Sequence, residues 1–358
     1  MIYLLNPHHS GSHSAWANGL ASHMQDEIQL FTLPGRHWKW RMHGAATYFA
    51  ELLNERPVPQ LILTTDMLDL ASFRGLYQHR VPTLLYMHEN QLTYPWSDSD
   101  ADPALGRDRH YAWINISSAL AADSIAFNSE YHRSAFLLAI PNYLKQLPDY
   151  TPKNVPSRIE SKSHIVSVGL DLPSLLSQIP ATDPSKASKP PVLLWNHRWE
   201  YDKGPDDFLQ LCRILSNRQF DFQLIILGES GRAHPRAFDD LEKEFRDRII
   251  HFGYAKDRDE YWSLLQRATI QPVTSRQDFF GISIVEAQWA GVMPLLPNRL
   301  VFRERAAGLP LLYDDLEEFV QLVIDPPKIS RSTLQQIASR YNWPNVIDSY
   351  RKWFAKSA

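Results

Sequence analysis

A single cysteine, Cys212, stands among 358 residues, so no intramolecular disulfide can form and a cysteine-rich structural zinc site is excluded. No stretch approaches the roughly 18 uninterrupted apolar residues of a membrane-spanning helix. Met1–Leu5 has too short an apolar run, and no basic flank, to read as a secretory signal. These absences lead to the expectation of a cytoplasmic protein with no membrane partner. Charge of one sign is also lacking: the formal net charge is -3, so a nucleic-acid partner would have to be held by a local basic patch.

What is present is enough apolar sequence for two cores, since a chain of this length exceeds the size at which one core keeps growing. Short apolar runs at Ile2–Leu5, Leu61–Leu63, Thr83–Tyr86, Ser124–Phe127 and Ile165–Val168 alternate with helical or turn-rich segments. That rhythm predicts βα units around a parallel sheet. It breaks at a stretch rich in Pro, Ser, Thr, Lys and Asp, then restarts with Val192–Trp195, Leu224–Leu227, Arg248–His251, Thr269–Pro272 and Met293–Leu296. The predicted organisation is an α/β domain over 1–170, a linker over 171–190, a second α/β domain over 191–340, and a C-terminal helix over 341–358 packing back on the first domain. Ligands of parallel α/β sheets bind beyond the carboxyl ends of the strands, so the loops there carry the candidate residues, with a cleft between the domains as the expected site.

In the second half, Asp278-Phe279-Phe280-Gly281-Ile282 opens a helix-like run that contains Glu286. A glycine at such a point admits close backbone approach, and a helix start offers free N–H groups to an anion. Glu286 is placed to accept hydroxyls, such as those of a nucleotide ribose, and Asp278 to face a transferred group. As isolated acids, Asp278 would cap the helix and Glu286 would form a surface pair. The whole stretch resembles the acidic-Phe-x-Gly-x4-Glu pattern of retaining GT-B glycosyltransferases of family four, with Asp278 in place of the usual Glu.

Asn196-His-Arg198-Trp-Glu-Tyr-Asp-Lys203-Gly204 follows directly on a strand. An Arg fork and a Lys point charge at a strand end suit a diphosphate leaving group and substitute for a metal; no metal or separate cofactor is called for. The pair could equally be a solvated loop, but it is similar to the Arg-x4-Lys-Gly donor-phosphate motif of the same family. Gly228 and Glu229, after another strand, add a weaker nucleotide-side signal.

The first half offers a small-residue loop, Ser10-Gly11-Ser12-His13, opening a helix, and a polar block, His88-Glu89-Asn90-Gln91, after a buried-looking strand. Consecutive polar groups there are costly unless hydrogen-bonded, which makes His88 either a satisfied structural histidine or a sugar contact. Arg36-His37-Trp38-Lys39-Trp40-Arg41 interleaves cations with aromatics, the chemistry that grips phosphates and stacks on unpaired bases. Its alternative is a Trp-anchored loop with solvated cations.

Taken together, Ser10–His13, Thr32-Leu-Pro34, His37–Arg41, Tyr86–Pro95, Phe127-Asn-Ser129, Leu147-Pro-Asp149, Trp195–Glu200 and Asp278–Ala287 resemble the tRNA-queuosine alpha-mannosyltransferases. That resemblance implies transfer of mannose, with retention, from GDP-mannose to the cyclopentenediol of queuosine at the wobble position of tRNA, tRNA-Asp among the acceptors. It implies Arg198 and Lys203 on the leaving diphosphate, Glu286 on the ribose, Asp278 with Phe280, Gly281 and Ile282 around the sugar, and His88 on mannose. A front-face substitution is implied, because no protein nucleophile stands out. Two rivals are a family-four transferase with a glycan or lipid-linked acceptor, and a non-catalytic tRNA-binding protein on the same scaffold.

Overall fold

A computed structural model describes residues 1–97, 100–106, 109–174, 190–228 and 234–357. The chain divides into two compact units, Met1–Asp171 with Tyr341–Ala358, and Leu172–Arg340. Most of the expected linker, 175–189, lies outside the described residues, as does the predicted site residue Glu229.

The first unit is built on β1 (Ile2–His9), β2 (Ile28–Pro34), β3 (Leu61–Thr65), β4 (Thr83–Met87), β5 (Ser124–Phe127) and β6 (Ser163–Ile165). They form a parallel sheet in the order β2-β1-β3-β4-β5-β6. Leu4, Leu5, Leu84 and Leu85 have no exposure, because helices cover both faces, and this explains the unbroken apolar runs. β2 escapes a reading by apolar runs for the converse reason. It lies at the sheet edge with Gln29 and Thr32 exposed, so its apolar residues alternate with polar ones. The run expected over Ile165–Val168 instead pairs over Ser163–Ile165, at the opposite edge.

The second unit contains β7 (Val192–Asn196), β8 (Gln223–Leu227), β9 (Ile249–Gly253), β10 (Ile270–Pro272), β11 (Met293–Pro297) and β12 (Leu312–Tyr313). Their order is β12-β11-β10-β7-β8-β9, again parallel. The winding reverses between β7 and β10, and in the first unit between β1 and β3. Such reversals splay the following loops apart and leave a crevice at the strand ends.

The helix Trp343–Ser357 belongs to the first unit. It enters through Leu170, whose N–H donates to the Tyr341 carbonyl at 2.8 Å and whose carbonyl accepts from Trp343 N–H at 3.1 Å. Trp343 then lies so close to Gly19 and Gly169 that a Cβ on either would fall 2.2 Å from its indole. Trp353 Nε1 donates to Ser124 Oγ at 2.8 Å, tying the helix to β5. Among the described residues, no helix is long and apolar enough to cross a membrane.

Candidate functional site

In the second unit, β7 delivers Asn196, His197 and Arg198 to the winding reversal, and a turn over Tyr201–Lys203 leads to Gly204. Gly204 has φ +68°, and a Cβ there would lie 2.5 Å from the Thr274 carbonyl oxygen, so the loop after β10 closes on this turn only because the residue is glycine. The closure puts Lys203, 12% exposed, against that loop: its Nζ donates to the Gln277 carbonyl at 2.9 Å and pairs with Asp202 at 3.2 Å and Asp278 at 3.5 Å. Burial pulls the ammonium pKa down, but the charges of Asp278 and Asp202 outweigh it and hold Lys203 above its ordinary value. Arg198 is unlike it. Its side chain is 60% exposed and pairs with Glu200 at 3.1 Å.

Asp278 departs from the expectation that its carboxylate faces a transferred group. Oδ1 accepts from the N–H groups of Phe280 at 3.1 Å and Gly281 at 2.7 Å, and Oδ2 faces Lys203. Burial raises its pKa, yet Lys203 and the two N–H donors bring it below the ordinary value. The shorter acid therefore folds back as the cap of its own turn. Gly281, at φ +83°, precedes the helix Ile282–Ala290, and Phe280 is covered by the Arg305 guanidinium at 4.5 Å.

Glu286 is buried in that helix, with a preset environment. Oε1 accepts from both terminal nitrogens of Arg258 at 3.1 Å, and Oε2 from the Tyr261 hydroxyl at 2.6 Å. Asn196 donates to the same hydroxyl at 3.2 Å and accepts from Gln271 at 2.6 Å. The surface-pair reading thus fails in its burial, although the ion pair itself exists. His197, overlooked in the sequence although it adjoins Arg198, is buried with Nδ1 3.0 Å from Ser283 Oγ. Desolvation, then Lys203, lowers it to about 4, so the ring is neutral at pH 7. Gly228 packs beneath it: a Cβ there would fall 2.2 Å from the His197 carbonyl oxygen.

In the first unit, His13 from the first turn of the helix Gly11–His23 and His88 from the end of β4 meet at 4.6 Å between ring centres, while Gly11 and Ser12 are exposed beside them. Trp16 stands edge-on to His88 at 4.5 Å and stacks on Tyr86 at 4.6 Å. Its Nε1 donates to Tyr350 of the C-terminal helix at 2.7 Å, and Tyr350 donates onward to the Ser167 carbonyl at 2.9 Å. Desolvation and then His13 hold His88 well below its ordinary value, so it too is uncharged. The His88 backbone N–H donates to buried Asp66 at 2.7 Å. Burial, then the charge of Glu89, raises the Asp66 carboxyl well above the usual range.

The rest of the polar block divides. Gln91 Nε2 donates to Glu89 at 3.0 Å, whereas Asn90 has no exposure. Its Oδ1 accepts from Leu92 N–H at 3.1 Å and Thr93 N–H at 2.9 Å. Asn90 Oδ1 thus forms the turn. The basic-aromatic segment divides similarly. Lys39 is committed to Asp100 and Asp102 at 2.8 and 2.5 Å. Trp38 packs with Tyr111 at 5.1 Å and Trp96 at 6.2 Å. Both were expected to meet nucleic acid and instead anchor the helix start, leaving Arg36, Trp40 and Arg41 toward solvent.

Residues 1–170 match the family described as "tRNA-queuosine alpha-mannosyltransferase N-terminal", and residues 181–307 match "Glycosyl transferases group 1". The tRNA-queuosine alpha-mannosyltransferase of Drosophila melanogaster is 30% identical over 85% of this chain and 81% of its own length. This chain belongs to the tRNA-queuosine alpha-mannosyltransferase family. A GDP-mannose:cellobiosyl-diphosphopolyprenol alpha-mannosyltransferase of Xanthomonas oryzae pv. oryzae is 26% identical over 53% of this chain and 52% of its own. Among solved structures, sucrose-phosphate synthase from Thermosynechococcus elongatus superposes over 100% of both chains at TM-score 0.72 and 16% identity. Anabaena Alr3699/HepE in complex with UDP superposes over 99% of both at 0.71 and 14%. These structural likenesses establish the GT-B fold. The family's N-terminal match spans the His13–His88 cluster and the Trp38–Arg41 segment, and the group 1 match spans Arg198, Lys203, Asp278 and Glu286.

Proposed function

We propose that this family member transfers mannose from GDP-mannose to the cyclopentenediol of queuosine in the anticodon loop of tRNA, with retention at the anomeric carbon. The observation that carries the reading is the family match across residues 1–170, because that half is the one expected to receive the acceptor. Relatives whose names specify GDP-mannose support that donor.

In this reading negative charge grows on the diphosphate as the glycosidic bond lengthens, and fixed cations stabilise it more in the transition state than in the ground state. Lys203 is suited to this because its two carboxylate partners keep it charged while it is buried. Arg198, exposed at the strand end, closes on the phosphate from the solvent side. Glu286, with Tyr261 and Arg258 fixing its two oxygens, accepts the ribose hydroxyls. Asp278 acts at one remove: it takes up the Gly281 N–H, shapes the turn that leads into Ile282 and holds Lys203 in place. His88, uncharged, hydrogen-bonds a mannose hydroxyl. The departing phosphate oxygen takes the proton of the attacking acceptor hydroxyl in a front-face substitution.

The test is incubation of the purified protein with GDP-mannose and queuosine-containing tRNA, followed by mass spectrometry of the nucleosides. A hexose increment confined to queuosine is expected. Absence of that increment, with another nucleotide sugar or acceptor reacting instead, overturns the reading.

A further inference from the structure

We infer that Trp40, laid on Gly44, is a preformed stacking platform for an unpaired nucleobase of the tRNA. The inference rests on the proposed tRNA acceptor and names where that RNA is held. A singly exposed tryptophan is unremarkable by itself; Trp40 is set apart by what lies beneath it. Its indole is 63% exposed on the helix Trp38–Asn54, and a Cβ added to Gly44, one turn on, would fall 2.5 Å from ring atoms Cε2 and Cζ2. The ring occupies the space where a side chain on residue 44 would otherwise stand, with more than half of its surface open.

Both choices oppose stability. A glycine in a helix interior costs about 1 kcal/mol relative to alanine, and an indole left in water forgoes its burial free energy. Together they produce a flat aromatic face of fixed orientation, which neither residue produces alone. Tyr48, 48% exposed, continues the same face two turns on, roughly 12 Å along the axis.

The surroundings select the partner. Trp38 and Lys39 anchor the helix start on Trp96, Asp100 and Asp102, so Lys39 offsets part of the charge of those two acids. The Arg36 backbone N–H and Arg41 Nε converge on the Pro34 carbonyl, at 2.8 and 3.2 Å, so the Arg41 guanidinium is held at the turn that carries the exposed Arg36. No acidic residue lies in the helix's first turn. An open aromatic face beside two arginines matches a base with its flanking phosphates, since stacking tolerates any base and cations follow the backbone.

The test measures affinity of the full chain for a queuosine-containing anticodon stem–loop RNA and, separately, for GDP. Trp40→Leu, which keeps apolar bulk without a ring, and Gly44→Ala, which lifts the indole, should each weaken RNA binding about tenfold and leave GDP affinity unchanged. Trp40→Phe should retain most of the RNA affinity. Gly44→Ala should at the same time keep or raise the thermal midpoint, which separates lost stacking from lost folding. If Trp40→Leu and Gly44→Ala bind RNA as the parent does, or lose RNA and GDP together, the platform is refuted. If the parent itself binds no RNA, the tRNA reading fails first and takes the platform with it.

Discussion

Two cations placed together by one motif have different physical situations, and their substitutions should separate. Arg198 is largely exposed, so Arg198→Ala should leave the thermal midpoint nearly unchanged while lowering turnover about a hundredfold, the scale for one lost charge-stabilising donor. Lys203 is buried between two carboxylates, and breaking such a cluster costs about 3 kcal/mol. Lys203→Ala is therefore expected to lower turnover and stability together; calorimetry beside steady-state kinetics checks both. Equal stability losses in the two variants would refute the assignment of only one of them to the interior. The motif spacing made both residues legible, but not their difference, because burial is set by the loop after β10, some 70 residues on.

The buried histidines set a pH limit. His197 is lowered to about 4 and His132 to about 3, both chiefly by burial, from an ordinary 6.5. A folded value below the unfolded one means that the unfolded chain binds more protons in between. Their stabilisation is complete above about pH 6.5 and is lost as the pH falls through the folded values. Thermal midpoints should drop from about pH 7 to about pH 5, and a His132→Gln chain should drop less steeply. Identical slopes in the two chains would sink the assignment.

At the scale of elements, helices and strands flanking the site are recognisable from apolar period, and the helix Ile282–Ala290 has the bounds its sequence pattern predicts. β2 is not, because an edge strand shows water one face and loses the continuous apolar run. The C-terminal helix reaches the His88 cluster through a single intermediary. Tyr350 accepts from Trp16, which stands against His88. Tyr350→Phe leaves the indole N–H and the Ser167 carbonyl without that partner, at about 1–3 kcal/mol. The expected readout is a lower thermal midpoint with a raised KM for the donor, and an unchanged midpoint would argue against the contact.

For the whole molecule, the last helix belongs to the unit that contains the first strand. A chain ending at Arg340 would remove Trp343, Tyr350 and Trp353 from the first unit and leave residues 172–340 in place. Hydrogen exchange should then show lost protection across β1, β4 and β5, with GDP binding retained by residues 172–340. Loss of GDP binding as well would show that the second unit depends on that helix.

The Asp278–Glu286, Arg198–Lys203 and His88–Gln91 stretches sufficed, by residue type and spacing, to indicate the family, since such chemistry is written in short contiguous motifs. The two-sheet architecture followed from alternating apolar runs, a local signal of two-sided burial. Only tertiary structure decided which members of each motif are taken up in holding the fold. Asp278 turns back on its own N–H groups, Asn90 builds a turn, and Lys39 and Trp38 are taken up by Asp100, Asp102 and Trp96. Each outcome depends on partners that are not adjacent in the motif, because a polar group in a folded interior takes whichever donor or acceptor the packing brings to it.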